Sequence, residues 1–337
     1  MSGVSDPICC QLMAKPIDSK RGNLMFRLLT KISLALAITG MLASGVASAD
    51  QAETKLLRWK FREGEQLTLI CTQTIDTRRT VKGQSAEMSM ILTSEMDWRV
   101  KSVAKNGNAD IVQSFRRLSA KLSTAKGSSI TFDSAAKIKP TGLAKDVAEK
   151  LLPLIGKEFT VAMTSRGSIT KVTLSDELSE AIEEAAGTKG PRTELFTAAG
   201  ISDLMKQFAV QLPEKPIAKG GKWTTKHSAK LPIGRLQLAN QFEYQGPQVV
   251  NGRPVLKIGL SSQVKVATPS KRTKLRKYEH TGTIQFDEVF GRLVTATSKQ
   301  TITATTRLRD VIIEVQLKTT INTRLKKKAK AKAKKAG

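Results

Sequence analysis

The chain has 337 residues and carries 56 Lys+Arg against 29 Asp+Glu, a formal net charge of +27. It is 40% hydrophobic, 4% aromatic and 25% charged, with 3 cysteines and 2 histidines. That apolar content excludes a wholly disordered chain. The absence of an unbroken apolar run of about 20 residues excludes a polytopic helical membrane protein.

The N-terminus reads as a targeting segment. Arg27 and Lys31 form a basic start, Ile32 to Val46 is mostly apolar, and Ala47-Ser48-Ala49 offers small residues where a signal peptidase reads them. The pattern predicts a signal segment over 1–49, cut between Ala49 and Asp50, and therefore an exported chain, periplasmic or secreted to the cell envelope. Met25 would open a signal of ordinary length and is the expected true start. No cysteine follows the apolar run, so no lipid anchor is indicated. Loss of 1–49 removes five cations and two anions, which leaves +24, and also two of the three cysteines. Cys71 then has no intrachain partner; it lies in an apolar strand pattern and reads as a buried small hydrophobe.

Period two dominates the rest of the chain. Along 86–100, Ala86, Met88, Met90, Leu92, Met96, Trp98 and Val100 alternate with mostly polar neighbours, the mark of a half-buried strand. Leu67, Leu69, Cys71 and Ile75 read the same way. Later runs around 236–244, 256–266 and 311–317 repeat the pattern. Lys82-Gly83, Asn106-Gly107, Arg166-Gly167, Asn251-Gly252 and Gly291-Arg292 separate these runs with turn chemistry, which predicts hairpins and antiparallel sheet.

Helical signals are confined to the middle. Leu143, Val147, Leu151 and Leu152 mark a short amphipathic helix ending near Pro153. Ser175 is placed to cap a second, which stops near Gly187, and a third is expected from about Pro191 to Pro213. Residues 213–221 read as a linker. Ser129–Asp133 and Thr283–Asp287 share an Ile-x-Phe-Asp echo, which suggests two related halves.

The expected fold class is α+β, mostly β: long curved antiparallel sheet in two related halves, with two or three helices between them. The expected organisation is a signal segment (1–49), a first strand-rich half with the central helices (50–213), a second strand-rich half (214–323) and a disordered Lys/Ala tail (324–337).

Much chemistry is missing. His227 and His280 have no neighbours at metal-ligand spacing and read as ordinary strand histidines. No nucleophile elbow, P-loop or dinucleotide fingerprint is present. Asp133, Asp287 and Glu288 are the only carboxylates worth naming for acid–base work, and a turn role fits the last two better. A non-enzymatic protein without catalytic residues, metal or cofactor is the expectation.

Two features point to binding. The first is a possible apolar-ligand face: Met88, Met90, Leu92, Met96 and Trp98 share one strand face, and flexible methionines adapt to varied apolar ligands. Core packing between sheet and helices would produce the same stripe. The second is cationic. Lys271, Arg272, Lys274, Arg276 and Lys277 form one cluster; Arg324, Lys326, Lys327, Lys328, Lys330, Lys332, Lys334 and Lys335 form another in the tail. Such charge suits a polyanion, whether the acidic lipid of an anionic membrane surface, an envelope polysaccharide or nucleic acid, and a solvated basic surface with no dedicated partner would carry it equally well. Specific nucleic-acid recognition is not expected, because aromatics are scarce and do not interleave with the basic residues.

Leu57-Arg58-Trp59-Lys60-Phe61-Arg62-Glu63-Gly64 resembles the aromatic-basic-aromatic-x-x-Gly start of a family of exported bacterial proteins with a domain of unknown function. The hairpin at Arg166-Gly167-Ser168 and the segment Gly282–Asp287 followed by Gly291-Arg292-Leu293 are similar too. The resemblance covers roughly 56–320. It implies curved antiparallel sheets with helices between, loosely similar to periplasmic lipoprotein carriers, and it brings no catalytic residues.

Overall fold

Long alternating runs broken by tight turns fold into strands of unusual length. The computed structural model describes residues 53–125, 127–137, 139–186, 205, 210–231, 234–270 and 272–326. Within them the chain forms β1 (Gln66–Val81), β2 (Gln84–Val103), β3 (Ala109–Thr124), β4 (Ser129–Asp133), α1 (Leu143–Leu151), β5 (Glu158–Met163), β6 (Ile169–Leu174) and α2 (Asp176–Ala186). The second part supplies β7 (Lys222–Leu231), β8 (Gly234–Val250), β9 (Arg253–Pro269), β10 (Thr273–Asp287), β11 (Arg292–Leu308) and β12 (Val311–Leu325). At 20 residues, β2 is about 65 Å long.

The strands form one 12-stranded sheet in the order β6-β5-β3-β2-β1-β12-β11-β10-β9-β8-β7, with β4 paired to β3. Every ladder between named strands is antiparallel. The chain starts at the centre, works outward to β6, crosses to β7 at the opposite edge and returns to lay β12 beside β1. Within the sheet the two strand-rich parts meet along the β1–β12 ladder, from Leu69↔Leu325 to Val81↔Ile313.

Turn chemistry explains the hairpins. Lys82 and Gly83 have φ of 49° and 79°, and Asn251 and Gly252 have 49° and 73°. Two left-handed residues in succession match the twist of the flanking strands. The β11–β12 hairpin bends at Arg309, φ 53°, in a turn without a glycine to mark it.

α1 and α2 lie where expected, and Ser175 Oγ accepts the Leu178 N–H at 3.2 Å as the cap of α2. The expected third helix falls almost wholly outside the described residues. The 213–221 segment is more than a tether: Ile217 is buried and exchanges both backbone hydrogen bonds with Lys55, and Leu212 just before it is fully buried. The apolar side chains of this segment override its Pro/Gly composition.

The tail also begins later than expected. Arg324 and Leu325 still pair with β1, and the Lys326 N–H donates to Thr68 O at 2.8 Å, because Leu325 continues the apolar alternation of β12. Residues 327–337, like the signal segment with Ala49 and Asp50, lie outside the described residues.

Candidate functional site

Alternate residues of a strand share a face, so the register lays out the inner surface directly. Met90 sits between Ile75 of β1 and Leu122 of β3, and Leu92 between Gln73 and Ala120. Across the central seam Ile75 faces Thr319, Gln73 faces Ile321, and Leu317 faces Ile302. The apolar members of this patch are only half-buried. Met90, Leu92, Ile75 and Ile321 belong to none of the buried clusters.

On either side the same face is filled. Met96 and Phe115 pack against Phe159, Val161, Leu178 and Ile182, which brings α2 onto the sheet. Trp98 packs on the largest cluster, around Leu57, Trp59, Ile258 and Phe286. Far across the sheet, Leu236 and Leu238 of β8 pack with Leu275, Tyr278 and Ala304. The reach to Leu275 and Tyr278 crosses β9 and that to Ala304 crosses β9 and β10, so the sheet curls inward there. The methionine stripe is therefore divided. Met88, 41% exposed, with Met90 and Leu92 borders the open patch, whereas Met96 and Trp98 are engaged in packing.

A polar group lies on the same face in the curled half. Ser262 Oγ donates to Asn240 Oδ1 at 2.6 Å and lies 2.7 Å from His280 Nδ1. Gln300 Nε2 donates to Tyr278 Oη at 3.2 Å. Burial holds both histidines below the ordinary imidazole pKa, and the neighbouring His227 lowers His280 further. The two histidines are thus close in space although far apart in sequence. Asn240, between Leu238 and Phe242 in the alternation, was the one legible sign of this network: a polar residue at an apolar position.

The cationic candidates are not brought together. Arg272, Lys274, Arg276 and Lys277 are all exposed, and Arg276 Nε donates to Thr305 Oγ1 at 3.1 Å. A bulge between Leu275 and Lys277 turns Tyr278 inward and keeps the charges out. Arg324 pairs beside Thr295, ten residues from Thr305 along β11, which is about 33 Å. Lys326 is bound to Glu95 at 2.6 Å. Lys271 and the tail from Lys327 through Lys328, Lys330, Lys332, Lys334 and Lys335 lie outside the described residues.

The carboxylates have structural partners. Asp287 Oδ1 accepts the Phe290 N–H at 3.0 Å and Glu288 pairs with Lys55 at 3.5 Å. Asp133 is paired with Arg117, whose hydrogen bond holds its pKa below the usual range. Burial pushes the Cys71 thiol up, away from reactivity. Among the described residues no group of three or more His, Cys, Asp or Glu side chains could hold a metal ion, and no helix is long and apolar enough to cross a membrane.

This is a mostly-β protein built on one open antiparallel sheet. The chain belongs to DUF6263, a family of unknown function, whose model matches residues 106–289. The match includes the Arg166-Gly167-Ser168 hairpin and Gly282–Asp287, and starts beyond Leu57–Gly64. No curated protein matches the chain. Among solved structures, lipovitellin with its lipid interactions is similar over 81% of this chain and 27% of its own, at 11% identity and a TM-score of 0.44. The chain thus spans about a quarter of lipovitellin's length. A protein described as exported, of YMCC-like fold, from Bacteroides fragilis matches over 80% of this chain and 99% of its own, at 12% identity and a TM-score of 0.27. An outer membrane channel from Pseudomonas putida F1 matches over 83% and 100%, at 8% identity and a TM-score of 0.20.

Proposed function

We propose that this is an exported envelope protein, periplasmic or secreted, that holds an apolar ligand on the inner face of its sheet and carries out no reaction on it. The observation that carries the reading is the half-buried patch of Met90, Leu92, Ile75, Leu317 and Ile321 at the centre of the sheet, beside packed regions on both sides. Apolar area left half-wet is stabilised by about 25 cal/mol for each Å² a ligand covers. The signal pattern over 1–49 supports export.

Native mass spectrometry of the protein purified from its own compartment tests this. A co-purified lipid is the expected result; a clean apo mass with no uptake of added lipid overturns the reading.

A finer point belongs to the same reading. The strand-rich parts 50–213 and 214–323 are related halves, supported by the equivalent work of Asp133 and Asp287 in the Ile-x-Phe-Asp echo. Each accepts a backbone N–H of the following turn, from Ala135 at 2.9 Å and Phe290 at 3.0 Å. Failure of 56–135 to superpose on 222–320 would remove the point.

A second reading is polyanion binding, favoured by the exposed Arg272, Lys274, Arg276 and Lys277. Binding to heparin or anionic vesicles would then weaken steeply with salt and fall when this cluster or 327–337 is removed.

A further inference from the structure

Three hairpin turns of the sheet close on polar residues or glycine: Lys82-Gly83, Asn251-Gly252 and Arg309-Asp310. That is the usual chemistry where a chain reverses in water. The β10–β11 turn is different. It reads Glu288-Val289-Phe290-Gly291, and its two central side chains are 65% and 43% exposed. Four of the nine large apolar side chains exposed among the described residues gather at this end of the sheet: Leu56, Val249, Val289 and Phe290. Leu56 follows Lys55, whose ammonium pairs with Glu288 at 3.5 Å. Val249 lies just before the β8–β9 turn. Leu256 of β9 stands opposite Phe286 of β10, and Arg253 and Val289 each lie three residues beyond that pair. The two tips therefore project to the same level.

The β10–β11 turn is braced. Asp287, itself buried, accepts the Phe290 N–H at 3.0 Å. The Lys60 N–H donates to Gly291 O at 2.9 Å, and Lys60 Nζ donates to Glu288 O at 2.9 Å. The guanidinium carbons of Arg62 and Arg292 lie 5.8 and 5.1 Å from the centre of the Phe290 ring. A single exposed apolar side chain needs no explanation, but a level group of them held in place marks an interaction surface. Its surroundings are cationic. Glu288, Glu53 and Glu65 are taken up by Lys55 and Arg292, which leaves Glu63 as the unpaired carboxylate of the 53–65 segment. Against it stand Lys60, Arg62 and Arg253, all exposed and none ion-paired among the described residues.

We propose that this end of the sheet docks on an anionic membrane surface. Val289 and Phe290 enter the interfacial layer, Leu56 and Val249 rest on it, and Lys60, Arg62 and Arg253 meet lipid phosphates. Apolar tips rimmed by cations combine the two forces that hold a peripheral protein on acidic lipid. The proposal does not depend on the apolar-ligand reading, and the surface differs from the Arg272–Lys277 cluster. That cluster lies at the start of β10, whereas the docking turn follows its other end, 15 residues along, or about 45 Å away.

The test is flotation of the full-length mature protein with vesicles of phosphatidylethanolamine and phosphatidylglycerol, 3:1, and with phosphatidylcholine vesicles. The wild type is expected to float with the anionic vesicles and to keep part of that binding in high salt, where purely electrostatic attachment is screened. The Val289→Ser/Phe290→Ser variant should bind at least about tenfold more weakly, the worth of one buried apolar side chain or more. Its urea midpoint reports whether the fold is intact, and Phe290→Leu, which keeps the apolar area, should restore most of the binding. Arg62→Gln/Arg253→Gln should weaken binding to the anionic vesicles and leave that to phosphatidylcholine unchanged. No flotation of the wild type, or flotation unaltered by Val289→Ser/Phe290→Ser, overturns the proposal. So does binding lost only when Arg272, Lys274, Arg276 and Lys277 are neutralised.

Discussion

Replacing Gly167 with alanine should be among the most damaging single-methyl changes in the protein. Gly167 has φ +90°, and a Cβ there would run into the Val210 carbonyl oxygen and come within 2.6 Å of Trp59 Nε1. Neither neighbour can step aside freely. The Trp59 N–H donates to Ser165 O at 2.8 Å, the Leu212 N–H donates to Arg166 O at 2.7 Å, and the Trp59 ring stands edge-on to Phe286 at 5.6 Å. The left-handed backbone alone costs a non-glycine residue about 1–2 kcal/mol. Loss of the Trp59–Val210 hydrogen bond adds about 1 kcal/mol, and repacking of the indole brings the total to about 3–5 kcal/mol. Gly64→Ala is the control, since Gly64 has φ +75° but nothing within 4 Å of its would-be Cβ. Urea unfolding followed by tryptophan fluorescence measures both. A Gly167→Ala cost equal to that of Gly64→Ala would show that the contact between Trp59 and the 210–212 segment does not constrain the fold, and the reasoning would fall.

Acid should weaken the protein through its histidines. Burial lowers the pKa of His227 and His280 in the folded state, so the unfolded chain binds more protons below about pH 6.5. Their contribution is complete above that pH and is lost as pH falls, and the fall in urea midpoint from pH 7.5 to pH 5 should be smaller in the His227→Gln/His280→Gln double variant. Asp133, held below its usual pKa by Arg117, contributes stability above about pH 4 that is lost on further acidification. With both side chains partly exposed, Asp133→Asn should cost about 1 kcal/mol at neutral pH, read as a shift in the same midpoint. Cys71, with its thiol pushed up by burial, should react with iodoacetamide at least about tenfold more slowly in the native protein than in urea; equal rates would show the thiol to be open.

The sequence carried most of the local structure and little of the long-range structure. The alternation along 86–100 defined both faces of β2, and Lys82-Gly83 and Asn251-Gly252 marked hairpins because those pairs tolerate two left-handed residues. Arg309 adopts the same conformation in a turn with no glycine to announce it. Nothing local could report that β12 pairs with β1, since that register joins segments far apart in the chain. Nor could local pattern separate the half-open Met90 and Leu92 from the packed Met96 and Trp98, because what covers a strand face comes from α2 and from the 53–61 and 210–217 segments.

The seam between β1 and β12 has a kinetic consequence. β1 finds its second neighbour along its full length only after Leu325 has been made. Until then β1 keeps one unpaired edge, β2 and β3 can zip only on its other side, and the central patch has no far wall. Closing that seam requires a loop of most of the chain, which places folding among the slow, non-local class. A nascent chain with its central edge open is exposed to strand addition by other copies. The same incompleteness keeps the sheet from locking into its final form until β12 has been made.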